Sequence, residues 1–114
     1  MDEILEVTRE DRGEVPVVHA RGEVDVSTTP ILRTELAAIP ESAAKVVVDL
    51  SEVTFLDSTG LGVLIAAMKR FRDSDTGGRV LLVVTRPHIQ KVLEVTGLTA
   101  VFGIYGSVDE ALGR

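Results

Sequence analysis

The sequence predicts one α/β domain over residues 1–114, with a mostly parallel sheet, an N-terminal antiparallel hairpin and about four helices. Continuous apolar runs at residues 46–48 and 80–84 are typical of strands covered on both faces. Segments of helical periodicity alternate with the strands, which indicates crossover connections and parallel pairing. A length of 114 residues fits one compact domain.

The first two predicted strands occupy residues 4–9 and 16–24. In the second strand, apolar or small residues alternate with polar ones, as on a half-buried strand. Turn-forming residues lie between the two strands and favour a hairpin: Asp11, Arg12 and Gly13.

The first predicted helix begins at Thr29, a candidate N-cap, with Pro30 in the first helical position. It ends at Pro40. Its apolar stripe consists of Leu32, Leu36 and Ile39.

The second predicted helix follows the strand at residues 46–48 and a short loop. One side is predicted to face the core: Leu61, Leu64, Ile65, Met68 and Phe71. The opposite side is predicted to face outward, and its residues are mostly small and weakly polar until the last turn: Thr59, Gly62, Val63, Ala66 and Arg70. An interior-helix glycine costs about 1 kcal/mol relative to alanine. Either these residues fill a crowded site, or they let another protein's backbone approach closely, which Gly62 favours.

Predicted strands and helices continue to alternate in the C-terminal third of the chain. A strand at residues 80–84 precedes a helix that begins at Pro87 and ends at Gly97. A short strand at 101–105 comes next. Ser107 is the predicted N-cap of a last helix that has acidic residues in its first turn and is anchored by Val108, Ala111 and Leu112.

Composition excludes several classes of function. A net charge of −6 and an aromatic content of 4% disfavour nucleic-acid binding. With no cysteine, there is no disulfide or thiolate metal site. The acidic start predicts no secretory leader, and the longest apolar run, residues 61–68, falls short of a membrane span. We therefore expect a cytoplasmic protein that contacts no membrane.

The residues offer little catalytic chemistry. His19 and His88 are both interpreted as exposed surface residues, so a serine nucleophile has no candidate base. Asp49, Glu52 and Asp57 lie near one another in sequence without a histidine or cysteine, so no metal or cofactor is expected. A receiver domain is disfavoured because the late strand lacks its lysine. We expect a protein that is not an enzyme.

Ser58 is the candidate functional residue. The predicted loop delivers its hydroxyl to the first turn of the second helix, at the positive end of the helix dipole. A phosphate there would be expected to find free N–H donors. The alternative is that Ser58 only caps the helix, and the residues alone leave both readings open.

The sequence resembles the STAS-domain anti-sigma factor antagonists. The resemblance rests on residues 57–62 (Asp-Ser-Thr-Gly-Leu-Gly) after a valine-rich strand, on residues 22–25 (Gly-Glu-Val-Asp), and on the tail at 104–112. It covers essentially the whole chain and implies a STAS fold. Gly106 departs from the pattern, because relatives often have an acidic residue there.

The resemblance implies a bacterial partner-switching protein. The unphosphorylated form would bind an anti-sigma factor that is also a serine kinase, and so release a sigma factor for transcription. Phosphorylation on Ser58, with Thr59 the weaker candidate, would end binding, and a PP2C-type phosphatase would reverse it. The predicted partner-binding residues are Asp25, Asp57, Ser58, Thr59, Gly62, Val63, Ala66 and Arg70.

Two other functions remain as alternatives. Small STAS proteins also serve as subunits of lipid-transport or signalling assemblies that have no phosphorylation switch. An enzyme that uses Ser58 as its nucleophile is the third possibility, which the lack of a base disfavours.

Overall fold

The computed structural model describes residues 4–113. Within that range, five strands and four α-helices alternate after an initial strand pair. In chain order they are β1 Glu6–Arg12, β2 Val15–Val24, α1 Thr29–Ala37, β3 Lys45–Leu56, α2 Ser58–Arg72, β4 Arg79–Val83, α3 Pro87–Val95, β5 Gly103–Tyr105 and α4 Val108–Ala111. The predicted α/β class and element order are confirmed.

The strands form one sheet in the order β1-β2-β3-β4-β5. The β1–β2 pair is antiparallel and the other pairs are parallel, as the sequence predicts. The first strand is displaced from its predicted position. It extends to Arg12, so Asp11 and Arg12 belong to the strand and the turn begins at Gly13. The φ of Gly13 is +64°, a value that favours a residue without a side chain.

The two faces of the sheet are covered unequally. Buried side chains of α1, α2 and α3 pack with Val46 and Val48 of β3 on one face. Val47 points to the other face, where α4 covers it through Ala111. This double coverage explains the continuous apolar run at residues 46–48. The part of this second sheet face that lies toward β1 is not covered by α4, and it is polar and open to solvent.

β3 is longer than the apolar run suggests, because two register shifts interrupt its side-chain alternation. His19 and Arg21 of β2 pair with Asp49 and Glu52, and Gly22 and Glu23 pair with Val53 and Phe55. Each shift inserts one extra residue into β3, as a β-bulge does. The core-facing positions of the strand are therefore unevenly spaced: Val46, Val48, Leu50, Val53 and Leu56.

Some helix boundaries also differ from prediction. The N-cap of α1 is Thr28, not Thr29. After Gly97, with φ +76°, a 3₁₀ turn at Leu98–Ala100 shortens the last strand. Ser107 is the N-cap of α4 as predicted, and its hydroxyl accepts from the Glu110 backbone N–H at 3.1 Å.

No helix within residues 4–113 is long and apolar enough to cross a membrane.

His19 joins the first three strands through two carboxylates. Its Nδ1 lies 2.8 Å from Asp49 Oδ2, and its Nε2 lies 2.6 Å from Glu10 Oε2. The interpretation of His19 as an exposed surface residue is wrong, because the ring is half-buried between β1 and β3. Burial lowers its pKa, but hydrogen bonds to Glu10 and Asp49 outweigh burial, so the His19 pKa is raised.

We predict that this contact makes stability depend on pH. A histidine whose folded pKa is raised stabilises the fold fully below its unfolded pKa of about 6.5, and that contribution disappears as pH rises through the folded value. The urea midpoint of the wild type, relative to His19→Gln, should therefore fall as pH rises.

An NMR titration of the His19 ring provides the control. Glu10→Gln removes one of the two carboxylates and should lower the measured pKa. If the wild type and His19→Gln show parallel dependence of stability on pH across the titration, the contact contributes nothing.

Candidate functional site

Ser58 is the first residue of α2 and is exposed. The N-cap is the preceding residue, Asp57, whose Oδ1 accepts from the backbone N–H groups of Thr59 at 3.0 Å and Gly60 at 3.3 Å. The Thr59 hydroxyl donates to the same oxygen. Within residues 4–113, no group hydrogen-bonds to the Ser58 hydroxyl. The alternative that Ser58 only caps the helix is therefore wrong, because the capping residue is Asp57.

Asp57 stays ionised because its donors favour the charged form. The Thr59 hydroxyl has the largest effect in lowering the Asp57 pKa, and the backbone N–H groups of Gly60 and Thr59 add to it. The negative charge lies where the helix dipole favours it. The expectation of free N–H donors for a phosphate is wrong at Thr59 and Gly60, because Asp57 already occupies both.

A second turn, after β2, lies beside the first. Asp25 Oδ1 accepts from the Ser27 hydroxyl at 2.8 Å, the Ser27 N–H at 3.0 Å and the Thr28 N–H at 3.1 Å. These bonds, the Ser27 hydroxyl first, lower the Asp25 pKa. The turns are joined where the Asp57 N–H donates to the Val24 carbonyl at 3.3 Å. Ser58 is thus flanked by two ionised carboxylates.

The end of β3 is held by one side chain from the β4–α3 connection and one from the first turn of α3. Pairing between β3 and β4 ends at Asp49 and Val83. Beyond that point, Arg86 Nε donates to the Ser51 carbonyl at 3.2 Å, and His88 Nε2 donates to the Thr54 carbonyl at 2.7 Å. The sequence places His88 on the surface, where it is, but gives no sign of this contact. These two residues help to fix the strand that leads to Ser58.

The predicted outward face of α2 is only partly correct. Thr59, Gly62 and Ala66 are exposed. Val63 is 5% exposed and belongs to the core, so its assignment to the outward face is wrong. Its position is covered because α1 packs alongside α2 at that level.

Arg70 is also wrongly placed on a free surface. Its guanidinium donates to the carbonyl oxygens of Leu36 at 3.2 Å and Ile39 at 2.6 Å, at the end of α1. It also pairs with Glu41 at 3.5 Å. Arg70 therefore ties α2 to α1, and a partner would meet it already engaged.

Gly60 and Gly62 serve different purposes. A Cβ on Gly60 would lie 2.5 Å from Leu56 Cδ1 and 2.6 Å from Val24 Cγ1, so the fold itself excludes a side chain there. A Cβ on Gly62 would have nothing within 4 Å. Nothing in the described part of the chain requires glycine at position 62, which keeps the close-approach interpretation open.

Two exposed apolar residues near Ser58 are missing from the predicted site. Val26 is 72% exposed in the turn after Asp25, and Phe55 is 46% exposed near the end of β3. Val26 directly follows an acidic site residue, which is a usable signal. Phe55 could not be identified from the sequence. The two extra residues in β3 change which positions of the strand face the core, and a regular alternation of side chains does not reveal them.

The described residues hold no cluster of His, Cys, Asp or Glu arranged to bind a metal ion.

Comparison with known proteins identifies the family. The STAS domain model matches residues 6–111. A solved structure of an anti-sigma factor antagonist from Mycobacterium paratuberculosis is 33% identical, with 96% of this chain and 92% of that chain covered and a TM-score of 0.86. The chain therefore belongs to the STAS domain family, and the predicted fold is confirmed.

Sequence relatives agree with that assignment. An anti-sigma-B factor antagonist of Bacillus subtilis (strain 168) is 32% identical over 87 residues, which cover 76% of this chain and 78% of that protein. One from Listeria monocytogenes serovar 1/2a is 30% identical over 111 residues, which cover 96% of this chain and 95% of that protein.

We predict opposite effects of alanine at the two glycines of α2. Gly60→Ala forces a methyl group against Val24 and Leu56 and should destabilise the protein by about 1–3 kcal/mol, the usual cost of overpacking. Gly62→Ala adds a methyl group in open space and should stabilise it by up to about 1 kcal/mol. Urea denaturation of the two variants measures both. Destabilisation by Gly62→Ala would contradict the assignment of an open position.

Proposed function

We propose that this chain is an anti-sigma factor antagonist controlled by phosphorylation of Ser58. In its unphosphorylated form it binds an anti-sigma factor that is also a serine kinase, and a sigma factor is released for transcription. Phosphorylation ends that binding, and a PP2C-type phosphatase restores it. The chain acts in the cytoplasm as substrate and ligand, and performs no catalysis itself.

The observation that carries this proposal is the unused hydroxyl of Ser58. Asp57 caps α2, so the hydroxyl is exposed and makes no hydrogen bond within the described part of the chain. The neighbouring Thr59 hydroxyl is engaged with Asp57. Modification of Ser58 therefore breaks no contact, whereas modification of Thr59 would disrupt the cap, which favours Ser58 as the acceptor.

The electrostatics of the turn favour a switch that acts outward. A phosphate adds about −1.5 to −2 charges at neutral pH. The donors on Thr59 and Gly60 are already bound by Asp57, and Asp25 is nearby, so the fold offers little to neutralise the new charge. The added repulsion and desolvation therefore act on whatever docks against this end of α2.

The proposed docking surface is revised by the burial of the side chains. It keeps Asp25, Asp57, Ser58, Thr59, Gly62 and Ala66, and adds Val26 and Phe55. It leaves out Val63, which is buried, and Arg70, whose guanidinium is bound to carbonyl oxygens at the end of α1. Exposed apolar side chains at the centre of a charged rim are the usual composition of a protein interface.

We predict that Ser58→Asp weakens binding of the unphosphorylated chain to the purified anti-sigma factor by about a hundredfold, or about 3 kcal/mol. The carboxylate stands next to Asp57 and repels the partner in the manner of a phosphate. Ser58→Ala should bind as the wild type does and accept no phosphate. Isothermal calorimetry measures the affinity, and labelling with ATP followed by mass spectrometry locates the modified residue.

Thr59→Ala is the matched control, since it removes the adjacent hydroxyl and should still be labelled. Labelling of Ser58→Ala at the wild-type rate would show that the acceptor is another residue. Co-purification with a membrane ATPase, without phosphorylation by any kinase, would favour a structural subunit instead.

A further inference from the structure

A groove runs between α1 and α2 and shares Ala66 with the proposed docking surface. It has a volume of about 140 Å³ and is lined by Arg33, Leu36, Ala37, Val63, Ala66, Ala67 and Arg70. An apolar cavity of about 150 Å³ holds one benzene molecule, so this groove has the size of a single bulky side chain. The lining is aliphatic except for its two arginines.

The groove is preformed. The Arg70 guanidinium is fixed by the carbonyl oxygens of Leu36 and Ile39 and lies 4.7 Å from the centroid of the Phe71 ring. Because this wall is held by the fold, a ligand would not have to order it on binding. Ala37 and Ala66 are exposed at the rim, where their small side chains allow a partner's backbone to approach closely.

Arg70 is already paired with Glu41, so among the described residues the unpaired charge at this end of the face comes from Arg33 and Lys69 and is positive, although the chain carries −6 overall. Arg33 is exposed and forms no ion pair within residues 4–113. Lys69 lies on the exposed side of α2, three residues after Ala66. The Ser58 end of the same face carries Asp25 and Asp57. The face is therefore acidic at one end and basic at the other, and it suits a partner segment of the opposite polarity.

We propose that an amphipathic helix of the anti-sigma factor occupies this groove, with one bulky apolar side chain between α1 and α2 and a carboxylate against Arg33. This inference rests on the proposed function and adds a second contact to it. Helices commonly bind grooves through such apolar anchors. A symmetric dimer through this groove is less favoured, because Ile31, the large exposed apolar side chain of α1, lies two residues before Arg33 and therefore on another side of the helix.

The two contacts have different roles. The Ser58 end carries the switch, because the phosphate charge is added there. The groove lies at the basic end, where a phosphate does not contact the anchor. The groove therefore contributes affinity and orientation to the unphosphorylated complex, and fixes the direction in which the partner lies along α2.

The test is the affinity of the unphosphorylated chain for the purified anti-sigma factor of the source organism, measured by calorimetry. Ala37→Leu fills the groove from an exposed helical position and should lower affinity at least about tenfold, or about 1.4 kcal/mol. Arg33→Glu should lower it by a similar factor and reduce its dependence on salt. The matched controls are Ala38→Leu, which is exposed beside the groove without lining it, and Arg79→Glu, an exposed cation on β4. Both should bind as the wild type does.

Each outcome distinguishes this inference from the proposed function. Wild-type affinity in Ala37→Leu and Arg33→Glu, with binding still lost in Ser58→Asp, overturns the groove and leaves the switch intact. Failure of the wild type to bind overturns the proposed function and the occupant assigned here with it. A wild type that sediments as a dimer, with Ala37→Leu monomeric, assigns the groove to a second copy and also overturns the inference. Equal urea midpoints confirm that the variants are folded.

Discussion

The Asp57 carboxylate makes the interaction on which the rest of the site depends. One oxygen accepts from two backbone N–H groups and one hydroxyl at the start of α2. Helix starts commonly use serine, threonine, asparagine or aspartate in this position. Because the aspartate does it here, the serine that follows is exposed and unused by the fold. A hydroxyl that makes no hydrogen bond within the described part of the chain can be modified without breaking one.

The sheet determines what surrounds that serine. β2 and β3 run parallel and end together, so the Asp25 and Asp57 turns become neighbours joined by one backbone hydrogen bond. The result is a concentration of negative charge that the fold has already saturated with donors. A switch built on added charge works best where the charge cannot be absorbed locally, and this turn meets that condition.

Much of this arrangement follows from the sequence, and the exceptions have physical causes. Buried strands, the hairpin and the helix starts at Pro87 and Ser107 are predicted from apolar runs and capping residues. The length of β3 does not follow from the sequence, because two extra residues break the alternation that identifies a strand. The predicted exposure of Val63 and Arg70 is wrong because helical spacing identifies a face without indicating how far a neighbouring helix extends over it. The interpretation of His19 as a surface residue is wrong because its two partners come from other strands, one nine and the other thirty residues away.

Asp57, and not Ser58, holds the start of α2. The most direct measurement is the urea midpoint of Asp57→Ala beside that of Ser58→Ala, at a pH where carboxylates are ionised. We expect a lowered midpoint for Asp57→Ala and an unchanged one for Ser58→Ala. A Ser58→Ala midpoint as low as that of Asp57→Ala would overturn the assignment of the cap to Asp57 alone, because the serine hydroxyl would then be part of the fold.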